Sequence, residues 1–215
     1  MLLLSIDTSG RQGGIALGRG DNYVEIIQST PIQGGTFSAE LIPQIAELLA
    51  KCGHTANQLD ALVAVTGPGS FTGLRVGLTA VKGLAEVLRI PIAAVTALEI
   101  LLAAAGTAGS AMAVLDAGRG ELYVATENNR KREEALLTAA EAVTMAHSKR
   151  LRVVAAEANV ASKFPEADVI QYCSSEVAAR VGFEKLRTGN TVDVLSLDAN
   201  YIRKSEAEYM QKLKK

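Results

Sequence analysis

Residues Thr66 to Gly77 read T-G-P-G-S-F-T-G-L-R-V-G, a glycine-punctuated turn that opens a helix. Backbone N–H groups at such a helix start are not used inside the helix, and they could cradle a phosphate. The preceding run Ala61-Leu62-Val63-Ala64-Val65 has the length and β-branched content of a buried strand, Gly67-Pro68-Gly69 stops it, and Ser70 stands where an N-cap belongs. The spacing matches neither G-x-x-x-x-G-K-[ST] nor a dinucleotide fingerprint, so a plain strand-to-helix corner is the competing reading. Two aspartates add a second possibility. Ser5-Ile6-Asp7-Thr8-Ser9-Gly10 and Leu115-Asp116-Ala117-Gly118 each end an apolar strand in an acidic turn. Such residues can serve nucleotide chemistry, or simply bond nearby backbone N–H groups in the turn.

The remaining chemistry-bearing residues are sparse. His54 and His147 fall at helix ends, where capping explains a histidine. Cys52 and Cys173 lack C-x-x-C spacing and read as reduced, buried thiols. With 48% apolar residues and a formal net charge of −1, the chain is globular and not a basic nucleic-acid clamp. Arg130-Lys131-Arg132-Glu133-Glu134 and the lysine-rich tail read as solvated, and no segment reads as a membrane span or signal peptide.

Periodicity gives the elements that must position these groups. Strands are expected at 2–8, 13–19, 23–29, 60–66, 91–95, 111–116, 121–127 and 151–155. Helices are expected at 38–52, 71–89, 97–105 and 138–148, with shorter elements to about 186 and a last helix at 199–213. Helix 38–52 places Leu41, Ile42, Ile45, Leu48 and Leu49 on one face. On helix 71–89 the polar residues Arg75, Thr79, Lys82, Glu86 and Arg89 form one narrow stripe, and the rest is apolar or small. Gly73, Gly77 and Gly83 each cost roughly 1 kcal/mol relative to alanine, so close packing must offset them. The neighbour is a helix of the same chain or of a partner; periodicity leaves both open.

The strand-Asp-turn-strand unit at 3–17 is repeated at 113–125. Two such units opening two halves point to a duplicated α/β fold of the actin-like (ASKHA, ribonuclease H-like) type, with halves 1–108 and 109–215, the second reduced. In that fold Asp7, Thr8 and Ser9 face Asp116 and Gly118 across a nucleotide cleft.

On the blocks Ser5 to Ser9, Gly67 to Gly77, Leu115 to Glu121 and Tyr201-Ile202-Arg203, the chain resembles the TsaB family, also called YeaZ, of bacterial proteins in tRNA threonylcarbamoyladenosine formation. The resemblance implies a non-catalytic subunit that pairs with a TsaD-like subunit through its N-terminal helices. That partner transfers threonylcarbamoyl to N6 of the adenosine beside the anticodon, and a TsaE-like ATPase joins the pair. Where TsaD-type proteins carry H-H-x-E-G-H, this chain has Thr96-Ala97-Leu98-Glu99-Ile100-Leu101, so no histidine-held metal is expected. The counterpart of their adenosine loop, Ala155-Ala156-Glu157-Ala158-Asn159, has no glycine, so the cleft is expected to be a vestige. ATP or ADP would then sit only at a joint surface with the partner.

A docking platform is accordingly expected from Phe37, Leu41, Phe71, Gly73, Leu74, Gly77, Leu78, Ala80, Val81 and Leu84. Used alone, it would give a homodimer in the cytoplasm, with tRNA contacted indirectly. Phe37-Ser38 replaces the family's His-Ser or His-Thr pair and is expected to add apolar area. Arg75, Lys82, Arg119 and Arg203 are candidate polar contacts. An active actin-fold ATPase or kinase, or a peptidase-like protein, is the alternative.

Overall fold

The structure is a computed structural model of the 215-residue chain that describes residues 1–106, 110–128, 131–171 and 173–202. The first sheet contains β1 (Leu2–Asp7), β2 (Gln12–Gly20), β3 (Val24–Gln33), β4 (Ala61–Val65) and β5 (Ile92–Val95), in the order β3-β2-β1-β4-β5. The second contains β6 (Ala111–Gly118), β7 (Glu121–Asn128), β8 (Lys131–Thr138), β9 (Arg152–Ala155) and β10 (Asp168–Val169), in the order β8-β7-β6-β9-β10. The two orders are the same pattern. In each, a three-stranded antiparallel meander is extended by two parallel strands. The repeated strand-Asp-turn-strand units are β1–β2 and β6–β7, the centre of each sheet.

Among the described residues, six α-helices complete the duplication: α1 (Phe37–Lys51), α2 (Phe71–Leu88) and α3 (Ala97–Ala104), then α4 (Ala139–Ser148), α5 (Ala158–Ala161) and α6 (Ser174–Arg187). α1 and α2 cover one face of the first sheet, where Leu41, Ile45, Leu48, Leu78 and Val81 meet Leu4, Ile6, Ile15, Leu17 and Leu62. On the opposite face, Ala178, Ala179 and Phe183 of α6 meet Leu3, Val63 and Val65. A strand covered on both faces loses polar alternation, which is why β4 reads as an unbroken apolar run and β1, buried throughout, carries only Ser5 before its terminal Asp7. The last helix of each half packs on the other half's sheet: Leu98, Leu101 and Leu102 of α3 lie on Ala111, Ala113, Ala125 and Val154.

Several expectations need correction. The segment read as solvated is strand β8, paired antiparallel with β7, and Arg132 and Glu134 on one of its faces meet Glu99 and Thr96. Arg130, the side chain of Lys131 and the tail from Arg203 onward, with most of the helix expected at 199–213, lie outside the described residues. The stretch before 187 is dominated by the 14-residue α6. Cys52 is half-buried, and Cys173 is exposed at the start of α6 rather than buried. His54 lies just past Gly53, whose φ of +72° ends α1, and its Nε2 meets Arg19 Nη2 at 2.7 Å. His147 sits in the last turn of α4.

Candidate docking face and nucleotide cleft

The glycine-rich turn is shaped by β1. Ser70 caps α2, its Oγ accepting the Gly73 N–H at 3.2 Å, and its own N–H donates to the Ser9 carbonyl at 2.6 Å. Thr8 Oγ1 donates to the Gly73 carbonyl at 2.7 Å. A Cβ on Gly73 would strike the Thr8 carbonyl, and one on Gly77 would strike Thr8 Oγ1. Two of the three helix glycines are therefore used against the first acidic turn of the same chain; nothing lies within 4 Å of a Cβ built on Gly83. Ser70→Ala is expected to cost about 1 kcal/mol in chemical denaturation, the usual value of a lost cap.

The platform residues divide into two groups. Phe37, Leu41, Gly73, Leu74, Gly77, Leu78 and Val81 are buried in their own chain, and so are not available to a neighbour. Phe37 packs its ring against Gly13, so it fills the core and does not add surface apolar area. Ala80 and Leu84 are half-buried, and Phe71 is 54% exposed. Ile42, expected inside, is 57% exposed. The outward face of α1 carries Ala39, Ile42, Pro43, Ala46 and Ala50, and that of α2 carries Thr72, Arg75, Thr79, Gly83, Glu86 and Val87, the last 80% exposed. Lys82 is half-buried and Arg89 exposed. α2 is thus covered on one side and open on the other. At its start, the Arg75 guanidinium stacks 3.8 Å from the Phe71 ring centroid, and Tyr201 lies 5.9 Å from the same ring.

Of the residues expected to line a cleft, Asp7 is 3% exposed, and its Oδ1 accepts both the Ser9 N–H at 2.8 Å and the Ser9 hydroxyl at 2.7 Å. Asp116 Oδ1 accepts the Gly118 N–H at 3.1 Å. Both aspartates make the same two-residue turn, the structural use that competes with nucleotide work. Gly118, Arg119 and Gly120 follow with φ of +72°, +57° and +80°. Among the described residues, no group of three or more His, Cys, Asp or Glu is placed to hold a metal ion, and no helix is long and apolar enough to cross a membrane.

One constellation escaped the sequence reading. Glu99 lies on α3 behind a Thr96–Glu99 capping box, and Lys185 Nζ and Arg132 Nη1 contact its carboxylate at 2.8 and 2.7 Å. Burial pushes this carboxyl upward. The hydrogen bond and charge of Lys185, with those of Arg132, outweigh that effect and leave it below the ordinary 4.5. A carboxyl lowered on folding contributes stability that is present above its unfolded value and is lost as pH falls through the folded one. Glu99→Gln is expected to cost on the order of 3 kcal/mol at pH 7, since two cations lose a buried partner. That gap should narrow as pH is lowered below 4.5 in denaturant titrations. The Thr-x-x-Glu spacing was the signal available in sequence.

The family model described as TsaD, tRNA N6-adenosine threonylcarbamoyltransferase, matches residues 32–194. The chain is 40% identical over 125 residues to a tRNA threonylcarbamoyladenosine biosynthesis protein TsaB from Bacillus subtilis, covering 57% of this chain and 53% of that protein. The TsaB of Escherichia coli is 29% identical over 126 residues, again covering 57% and 53%. The chain thus spans about half the length of the curated relatives it matches. In fold it superposes on YeaZ from Pseudomonas aeruginosa with a TM-score of 0.76 at 22% identity, over 94% of this chain and 100% of that one. With matched halves, a shared family model and these relatives together, the chain belongs to the TsaB (YeaZ) family, within the set of proteins that the TsaD model describes.

Proposed function

We propose that this chain is a non-catalytic subunit that pairs with a TsaD-like subunit through the outer face of α1 and α2. In that role it supports transfer of threonylcarbamoyl to N6 of the adenosine beside the tRNA anticodon. The carrying observation is that face itself: Ile42, Phe71 and Val87 are more than half exposed and Gly83 is open, so the outer side of both helices is uncovered, with Arg75, Thr79 and Glu86 as the polar groups of α2 between them. Helices bearing small residues can approach a partner helix closely, so a four-helix packing is the natural product. In the absence of the partner, the same face pairs two copies of the chain.

A TsaE-like ATPase joins this pair in the cytoplasm, and tRNA is engaged through the partner. The non-catalytic assignment is supported by the two acidic turns, each of which bonds within itself. Asp7 is occupied by Ser9, and Gly73 and Gly77 of α2 are packed against Thr8. No nucleotide of its own is expected; ATP or ADP would be held at the joint surface. The test is reconstitution with a TsaD-like subunit and tRNA, comparing the native chain with a variant blocked at Gly83. Brisk ATP hydrolysis by the isolated chain would instead favour an active actin-fold ATPase or kinase.

A further inference from the structure

Two carboxylates cross between the halves. Glu99, in α3 of the first half, has a side chain 7% exposed and receives Arg132 Nη1 of β8 at 2.7 Å. Glu134 lies two residues further along β8, on the same face of that strand. It receives Thr96 Oγ1 of the first half at 2.6 Å and Asn200 Nδ2 at 2.6 Å. Each half therefore lends one carboxylate to a donor from the other. Two further segments are drawn in. Lys185 Nζ of α6 bonds both Glu99 at 2.8 Å and the Ala94 carbonyl of β5 at 2.7 Å. Asn200 also donates its backbone N–H to the Thr66 carbonyl at 2.7 Å, immediately after β4.

The crossing is what matters physically. Both exchanged bonds run between the first turn of α3 and one face of β8, in opposite donor-to-acceptor directions. A rotation of one sheet relative to the other would lengthen both together. It would also leave Glu99 with weakened compensation in a buried place, a costly state. We propose that this crossed carboxylate clasp locks the two halves in a single relative orientation, with Asn200 as the pin that ties the C-terminal segment into the lock. The protein is then a rigid body rather than a hinged clamp. The apolar contact of α3 with the second sheet supplies adhesion, and the clasp supplies the angle.

Amide hydrogen exchange on the full chain tests this with Asn200→Ala, Glu134→Ala and the charge-balanced double variant Glu99→Gln with Arg132→Gln. Exchange in residues 97–101 and 192–202 should rise at least tenfold in each, with β1 and β4 protected as in the native chain. On heating, the double variant should melt in two transitions where the native chain melts in one. Unchanged exchange in those two segments, or a uniform rise that includes β1 and β4, would overturn the clasp. Asn200→Ala removes one neutral donor from a half-buried side chain, so it remains readable even where a carboxylate variant does not accumulate.

Discussion

Gly73→Val is expected to destabilise the protein by roughly 3 kcal/mol, a fall in Tm of about 6–12 °C for a chain of this size. The cause is local. A Cβ at position 73 meets the Thr8 carbonyl, a backbone atom of the turn that leaves β1, where the Thr8–Gly73 and Ser70–Ser9 hydrogen bonds tie the turn to the start of α2 and leave it little room to give. The Thr8 hydroxyl that bonds the Gly73 carbonyl at 2.7 Å is displaced in the same movement. Gly77→Ala provides the contrast, since its Cβ meets the Thr8 hydroxyl oxygen rather than the backbone. Adding Thr8→Ala should restore part of the stability lost at Gly77 and none of that lost at Gly73. Calorimetry on the five variants, Thr8→Ala alone included, reads the coupling directly. Equal rescue at both positions would show that the fit between β1 and α2 has been misassigned.

Gly83→Arg should do the opposite. A side chain there enters open space, and replacing a mid-helix glycine favours the helix by up to about 1 kcal/mol, so Tm should hold or rise. Pairing with a TsaD-like subunit should weaken at least 100-fold, about 3 kcal/mol, because a long charged side chain then blocks close approach to the open side of α2 beside Val87. Modification of tRNA by the reconstituted set should fall with it. Isothermal titration and a tRNA modification assay measure the two effects. Native affinity in this variant would remove the α1–α2 face from consideration. Ile42→Glu on the neighbouring helix is an independent check, its side chain being 57% exposed.

The opposite expectations for Gly77 and Gly83 show where periodicity stops. All three glycines of α2 look alike in sequence, each a cost to the helix that some close approach must offset. Only the approach of β1 to the first turns of α2 separates Gly73 and Gly77, which fit Thr8, from Gly83, which faces outward. The same limit applies to Ile42. It lies within the apolar stripe of α1, but the sheet is reached by Leu41, Ile45, Leu48 and Leu49, leaving it outside the covered arc. Phe37 was misjudged in the reverse direction, because the space its ring fills is left by Gly13 on β2, which local sequence around α1 does not show.

Local chemistry was legible because it acts over a few residues. The cap at Ser70, the acidic turns after β1 and β6, the alternation of strands and helices, and the duplication all follow from near-neighbour preferences and repeat in the chain itself. The amino-acid order determined the fold class and the family to which the chain belongs. Tertiary structure alone decided which apolar side chains remained outside, and that Glu99, Arg132, Glu134, Lys185 and Asn200 converge between the halves. Those partners are separated by 33 to 86 positions, and each looks in sequence like an ordinary solvated polar residue. Nothing in local propensity distinguishes a charge that meets water from one that meets its counter-ion across a fold.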